Sequence, residues 1–195
     1  VPESSYFYVF IDENQRLYER RSTIPVQESP FYLTNNCRNT APIHALAYRY
    51  YSGDEVDPPD LVGPEIAWVD AATPIEQAHA IVARVAQWVG RDGLKAGDVA
   101  VLVAKTPKTY AYELLSEAAK NSSLKFVFAD HGASGGVLVD TVSRFKGLES
   151  HAAVLWVGDE VVDEDRKETM YVGVTRAKSL LAVVGSNRAL KKLRI

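Results

Sequence analysis

The sequence contains one cysteine, Cys37, in 195 residues. A single cysteine cannot close an internal disulfide or build a multi-cysteine zinc site, so a reducing cytosol is the simplest home for the chain. No apolar run reaches the length needed to cross a membrane. Glu3 and Asp12 interrupt the first apolar stretch and no basic leader precedes it, so nothing there reads as a signal peptide. Basic charge is not in excess: 22 Lys and Arg against 25 Asp and Glu give a net charge of -3 and a pI near 5.8. This excludes a chain that coats nucleic acid over its whole surface and confines any contact with a polyanion to one face. The Gly-x-x-x-x-Gly-Lys-Ser/Thr phosphate loop is also missing. Gly132, Gly135 and Gly136 have the wrong spacing, lack the Lys-Ser/Thr pair, and read as a turn. Without that loop the chain has no dedicated cradle for a β-phosphate and its magnesium. There is no internal repeat and no low-complexity tract.

What is present suits a soluble globular domain, with 47% apolar and 24% charged residues. The length allows one domain with a real core, or one domain plus a short arm. The chain opens directly on a strand-like segment, Tyr6 to Ile11, as expected of an excised fragment rather than a natural N-terminus. Residues 16–34, with Pro25 and Pro30, read as an extended connector. A helix is expected after Asn39 or Thr40, either of which can cap it, with Ile43, Leu46, Ala47 and Tyr50 facing inward. Residues 52–64 hold two Gly and three Pro and read as a loop. Ile66 to Val69 reads as a strand. Thr73-Pro74-Ile75-Glu76 is a helix start with a capping box, and Ile75, Ala78, Val82, Val85 and Val89 follow helical spacing until Gly90 and Gly93. Val99 to Val103 is a strand without polar alternation. Pro107 opens a helix carrying Ala111, Leu114, Leu115 and Ala118. Further short apolar runs lie at Phe126 to Ala129, Val137 to Val139, Ala152 to Val157 and Leu180 to Val184, with a helix over Asp165 to Lys178 between the last two. Unbroken apolar strands alternating with amphipathic helices predict an α/β domain whose mainly parallel sheet is covered on both faces.

Ligands of such sheets bind beyond the carboxyl ends of the strands. Gln15 follows the first strand-like run, and Thr141 to Glu149 follows the Val137 strand. Arg176 is the exception, because the pattern sets it inside a helix. There it either points at a neighbouring domain or subunit, as an arginine finger does, or is an ordinary solvated residue. Composition and pattern alone leave the role of the domain open.

Four stretches, in order, resemble motifs of the C-terminal half of UvrD-like superfamily I helicases. Phe7 to Tyr18 contains Asp12-Glu13-Asn14-Gln15-Arg16-Leu17-Tyr18 and looks like motif III, Asp-x-x-Gln-x-x-Tyr. Leu33-Thr34-Asn35-Asn36-Cys37-Arg38 looks like motif IV, Leu-x-x-Asn-Tyr-Arg. Thr141-Val142-Ser143-Arg144-Phe145-Lys146-Gly147-Leu148-Glu149 looks like motif V, and Tyr171-Val172-Gly173-Val174-Thr175-Arg176-Ala177-Lys178 like motif VI. The resemblance implies a three-layer α/β/α RecA-like domain, lacking the phosphate loop, that closes on a preceding motor domain of the same polypeptide. ATP and Mg2+ would be held mainly by that other domain. Residues 1–32 would be the end of the preceding domain and its connector, and residues 33–195 the second RecA-like domain. The connection from motif IV to motif V is compact, where many family members carry a large inserted subdomain.

The resemblance also implies roles residue by residue. Gln15 matches the glutamine that couples the γ-phosphate to nucleic-acid binding. Arg38 and Arg176 match the two arginines that meet the γ-phosphate, a role suited to a planar guanidinium that stays charged. Glu149 matches the glutamate that accepts a bond from the nucleotide ribose. Gly147 provides either a positive φ angle or close backbone approach. Thr141 and Ser143 occupy positions that contact the backbone of single-stranded DNA or RNA, where hydroxyls suit sequence-blind contacts, and Lys146 helps the same face or is solvated. Two positions depart from the pattern. Many relatives have His at Ser143, and relatives have an adenine-stacking Tyr at Cys37, where a cysteine offers far less area. No His lies near Cys37 in motif context: His44, His79, His131 and His151 read as loop or helix residues. Tyr171 reads as core. The alternative to a motor half is a non-catalytic nucleic-acid-binding or regulatory module built on the same fold. Domains of this sort are also found fused to nucleases.

Overall fold

The computed structural model describes residues 8–9, 31–104, 106–131, 135–159 and 163–194. The motif III-like segment with Gln15 and most of the 16–34 connector lie outside the described residues.

Six strands form one sheet: β1 (Ala67–Asp70), β2 (Val99–Ala104), β3 (Phe126–Phe128), β4 (Val137–Thr141), β5 (Ser150–Val157) and β6 (Ala177–Gly185). Their order across the sheet is β1-β6-β5-β2-β4-β3 and every pairing is parallel. The alternation of β2 explains the two-sided covering. Ala100, Leu102 and Ala104 belong to one core, with residues of α1 (Ala41–Tyr48), α4 (Asp163–Thr175) and α5 (Asn187–Leu193). Val99, Val101 and Val103 belong to the other, with α2 (Pro74–Ala86) and α3 (Lys108–Ala119). The fold is therefore the expected α/β/α sandwich. A strand buried on both faces has no need of polar alternation, which is why β2 reads as a continuous apolar run. On the second face the indole N–H of Trp156 donates to Oε1 of Gln77 at 2.7 Å, and Nε2 of Gln77 donates to the Ala71 carbonyl at 2.9 Å. These two polar side chains are satisfied by each other and by the backbone.

Local signals hold where neighbours in sequence decide them. The Glu76 N–H donates to Oγ1 of Thr73, Glu76 reaches back to the Thr73 N–H, and Pro74 starts α2, so the capping box forms as expected. Such a cap contributes about 1 kcal/mol. Ile43, Leu46, Ala47 and Tyr50 are all buried, as the α1 spacing predicts.

Three expectations need correction. The buried face of α2 is Ala78, Ile81, Val82 and Val85, continued by Trp88, while Ile75 is 58% exposed. A wide π-type turn at Gln87–Arg91 closes this helix; Trp88 continues the buried face of Ile81 and Val85 at helical spacing, and Val89 packs half-buried against the same core. The motif VI-like helix ends at Thr175, so Arg176 sits at the helix-to-strand junction and Lys178 is already in β6. A further short helix, α5, follows β6 where no element was expected.

The connection from β4 to β5 matters most for the site. β4 and β5 flank β2, so residues 142–149 cross over β2 from the carboxyl end of β4 to the amino end of β5. Val142 and Phe145 bury into the α1/α4/α5 core, and Phe145 and Leu148 donate backbone bonds to Thr141 and Phe145 within the connection. The motif V-like segment thus spans the sheet from one end to the other.

Candidate functional site

At the amino ends of β5 and β6, side chains from two distant segments converge on Glu149. Its Oε2 lies 3.4 Å from Nε of Arg38, and its Oε1 accepts from Nζ of Lys178 at 3.0 Å. The Arg38, Lys178 and Glu149 side chains are 46%, 37% and 43% exposed. The hydrogen bond from Lys178 holds the Glu149 carboxyl below its ordinary value; burial opposes it, and the charges of Lys178, Arg38 and Arg176 add to the lowering. Glu149 stays ionised and is ringed by three cations, leaving the cluster net positive. Cys37 is exposed next to Arg38.

Arg176 is placed differently from the other two cations. It is 1% exposed. Its Nε donates to the Val172 carbonyl at 3.0 Å, Nη1 to the Leu148 carbonyl at 3.0 Å and Nη2 to Oγ1 of Thr175 at 3.1 Å. It braces the end of α4 against the last residues of the crossover, one residue from Glu149.

A buried amide network sets Arg38 beside this junction. Nδ2 of Asn39 donates to the carbonyls of Thr175 at 3.2 Å and Ala177 at 2.6 Å, a tie across 138 residues. The Thr40 N–H donates to the Lys178 carbonyl at 3.0 Å. Oδ1 of Asn36 accepts the N–H groups of Arg38 and Asn39, which orients its amide. Nδ2 of Asn36 then faces Oδ1 of Asn39 at 3.2 Å and Nδ1 of His44 at 2.9 Å. His44 must therefore accept through Nδ1 and be neutral, with its proton on Nε2. Burial agrees, lowering its pKa from 6.5. With the folded value below the unfolded one, the unfolded chain takes up this proton first as pH falls. Stability from this site is complete above about pH 6.5 and declines below it, down to the folded pKa. Urea midpoints at pH 7.5 and 5.5 should fall more for this chain than for His44→Gln; equal falls in both would contradict the assignment.

At the opposite end of the sheet, beyond the carboxyl ends of β2, β3 and β4, lies a second polar group. Asp130 pairs with both Lys108 and Arg144. Arg144 also approaches Asp140, with Nε 3.4 Å from Oδ1. Asp140 is buried, and burial raises its pKa despite a bond from the Thr141 N–H and the nearby charge of Lys108. Oγ1 of Thr141 accepts the Arg144 N–H at 3.3 Å, capping the turn that starts the crossover. Ser143, Arg144 and Lys146 are exposed along it.

Gly147 has φ +88°, with open space where a β-carbon would sit. Of the two readings, positive φ applies, and among the described residues no close approach requires glycine. Gly147→Ala should cost about 1–2 kcal/mol, because a β-carbon in the left-handed region meets the following carbonyl. Gly147→Asn should cost less, since Asn enters that region more readily. Equal urea midpoints for all three chains would count against this conformation.

The expected site residues therefore divide. Arg38, Cys37, Arg176, Glu149 and Gly147 lie at or near the amino end, whereas ligands were expected beyond the carboxyl ends of the strands. Thr141 and Ser143 lie at the carboxyl end, and Lys146 lies along the crossover between them. Gln15 is outside the described residues. Lys178, Asn39, Lys108 and Arg144 were not singled out from sequence. Lys178 and Arg144 stand inside the quoted motifs, but nothing local marks a Lys or Arg as clustered. Among the described residues no group of three or more His, Cys, Asp or Glu is placed to hold a metal ion, and no helix is long and apolar enough to cross a membrane.

The six-stranded parallel sheet with its two helical layers matches a RecA-like helicase C-terminal domain. Residues 136–184, from the start of β4 into β6, match the UvrD-like helicase C-terminal domain family. That segment includes Thr141, Glu149, Arg176 and Lys178 but not Arg38. Among solved structures, the fold is similar to the C-terminal domain of a possible DNA helicase from Lactobacillus plantarum WCFS1. The TM-score is 0.55 at 17% identity, covering 80% of this chain and 95% of that one. At that identity the likeness is one of fold. No curated protein matches the sequence.

Proposed function

We propose that this chain is the C-terminal motor domain of an ATP-dependent superfamily I helicase or translocase. It supplies phosphate-contacting cations and part of the single-strand surface to a longer protein. The observation that carries this reading is the meeting of the motif IV-like Arg38 with the motif VI-like junction on the motif V-like Glu149. Guanidinium and ammonium groups presented together at one surface suit a polyphosphate. ATP, when bound between the two domains, would draw this domain against its partner, and its hydrolysis would release it. The exposed cations fit its phosphates. No described acidic cluster fits its Mg2+, and the preceding domain is the expected holder of both the metal and the phosphate cradle.

In this reading residues 1–32 are the end of that preceding domain, with Gln15 coupling the γ-phosphate to nucleic-acid binding, and residues 33–195 are the second domain. Arg38 is the exposed phosphate contact. Arg176 meets the phosphate only if its guanidinium leaves the Val172 and Leu148 carbonyls; otherwise it holds the junction in shape. Glu149 accepts the ribose by exchanging one of its two cationic partners. Cys37 lies where an adenine would stack and offers little area for it. Thr141, Ser143 and Lys146, joined by Lys108 and Arg144, contact single-stranded DNA or RNA at the other end of the crossover. The 142–149 segment then ties nucleic acid to nucleotide through one continuous stretch.

The burial of Arg176 favours one alternative, a non-catalytic nucleic-acid-binding or regulatory module in which this arginine is purely structural. DNA-stimulated ATPase of the full-length parent separates the two. Activity that Arg38→Gln abolishes supports the motor, and DNA binding without stimulated hydrolysis supports the module. The isolated 195-residue chain should hydrolyse ATP negligibly, so robust magnesium-dependent turnover by it would also defeat the motor reading.

A further inference from the structure

The pairing of β5 with β6 contains an irregularity beside the amino-end cluster. Ser150 pairs with Ala177, but Ala152 pairs with Leu180, so two steps along β5 match three along β6. The extra residue falls at Lys178–Ser179. A bulge leaves a residue unpaired and re-aims side chains, and bulges concentrate next to functional sites. Here the neighbouring side chain, Lys178, takes one oxygen of Glu149 while Arg38 lies at the other. Both cations are more than a third exposed, and an exposed pair of this kind adds little to stability. Stability alone is thus a weak reason for breaking the ladder and gathering like charges here.

We propose that Lys178 is a third anion-contacting residue of this site, aimed by the β6 bulge and held beside Arg38 by Glu149, where it binds the phosphates of a nucleoside polyphosphate. The inference rests on the motor reading above and adds a residue to its site. Glu149 acts as a spacer that holds two positive groups one carboxylate apart. The two roles differ: the Arg38 fork takes two oxygens at fixed geometry, whereas the Lys178 ammonium is a compact point charge on a flexible stem. Lys178 therefore contributes attraction to the polyphosphate more than orientation, and its loss should fall on KM rather than kcat.

The test uses the full-length parent with DNA, measuring kcat and KM for ATP-Mg2+ in Lys178→Met, Lys178→Arg, Arg38→Gln and the distant surface variant Lys120→Gln. Calorimetric binding of ATP-Mg2+ and thermal midpoints accompany them. Lys178→Met is expected to raise KM and the dissociation constant about ten- to a hundredfold, the loss of one charge-assisted contact. Lys178→Arg, which keeps the charge, should stay within about threefold. If Lys178→Met behaves like Lys120→Gln while Arg38→Gln is impaired, the Lys178 inference falls and the motor reading stands. If Arg38→Gln is also unaffected, both fall. If Lys178→Arg is as weak as Lys178→Met and both melt early, Lys178 acts through packing and the proposal is overturned.

Discussion

Arg176→Ala is expected to lower the stability of this chain by about 2–5 kcal/mol, as a large-to-small change in a packed interior does. Arg176 is among the largest fully buried side chains. Truncation removes three hydrogen bonds and leaves the Val172 and Leu148 carbonyls without this donor. The Val172 carbonyl keeps a donor in Oγ1 of Thr175, so this loss falls mainly on the part-buried Leu148 carbonyl. It also frees the crossover end from α4, so Glu149 loses its fixed position. Against a typical total of about 5–15 kcal/mol, this is a large share. Urea unfolding measures it directly, and a change below about 0.5 kcal/mol, the range of ordinary surface substitutions, would show that the guanidinium is not buried in solution. A loss of parent ATPase in Arg176→Ala is for this reason ambiguous, since a collapsed junction and a missing phosphate ligand give the same result.

Arg38→Gln should behave in the opposite way. Its side chain is half-exposed and its one described ion pair is with the equally exposed Glu149. Its backbone N–H, not its guanidinium, belongs to the Asn36 turn. Stability should change by less than about 0.5 kcal/mol. Under the motor reading, DNA-stimulated kcat of the parent should fall by about 10³-fold or more, the scale on which arginines facing a transferring phosphoryl group act. Urea midpoints of this chain together with single-turnover rates of the parent decide it. A stable Arg38→Gln protein that keeps its rate would remove Arg38 from the site. The pair of variants thus separates a residue that shapes the site from one that acts in it.

Much of the site was legible because its segments are contiguous. Thr141 to Glu149 and Tyr171 to Lys178 are each short enough for residue order to carry the resemblance, and the family match covers both. Burial within those segments was not legible. Arg38 and Arg176 look equivalent in sequence, yet one is half-exposed and the other 1% exposed. That difference arises where α4 stops. One more helical residue would carry Arg176 round on the helix, whereas termination at Thr175 turns it beneath Leu148. Asn39 gave no signal beyond a candidate cap; its amide instead spans to Thr175 and Ala177, and the hydroxyl of Thr40, the actual N-cap residue, is buried with no hydrogen-bond partner among the described residues.

The sequence by itself determined the elements whose causes are local. Continuous apolar runs specify strands covered on both faces, the Thr73-Pro74-Ile75-Glu76 run specifies a helix start, and the 3.6-residue spacing of Ile43, Leu46, Ala47 and Tyr50 specifies an inner face. Tertiary structure alone decided the strand order, the π-type turn at Gln87–Arg91, the register irregularity beside Lys178, and the division of the candidate residues between two ends of the sheet. Those features depend on which strands pair and at what register. The pairings join residues far apart in sequence, such as Ala67 with Ala182, so neither strand's local pattern names its neighbour.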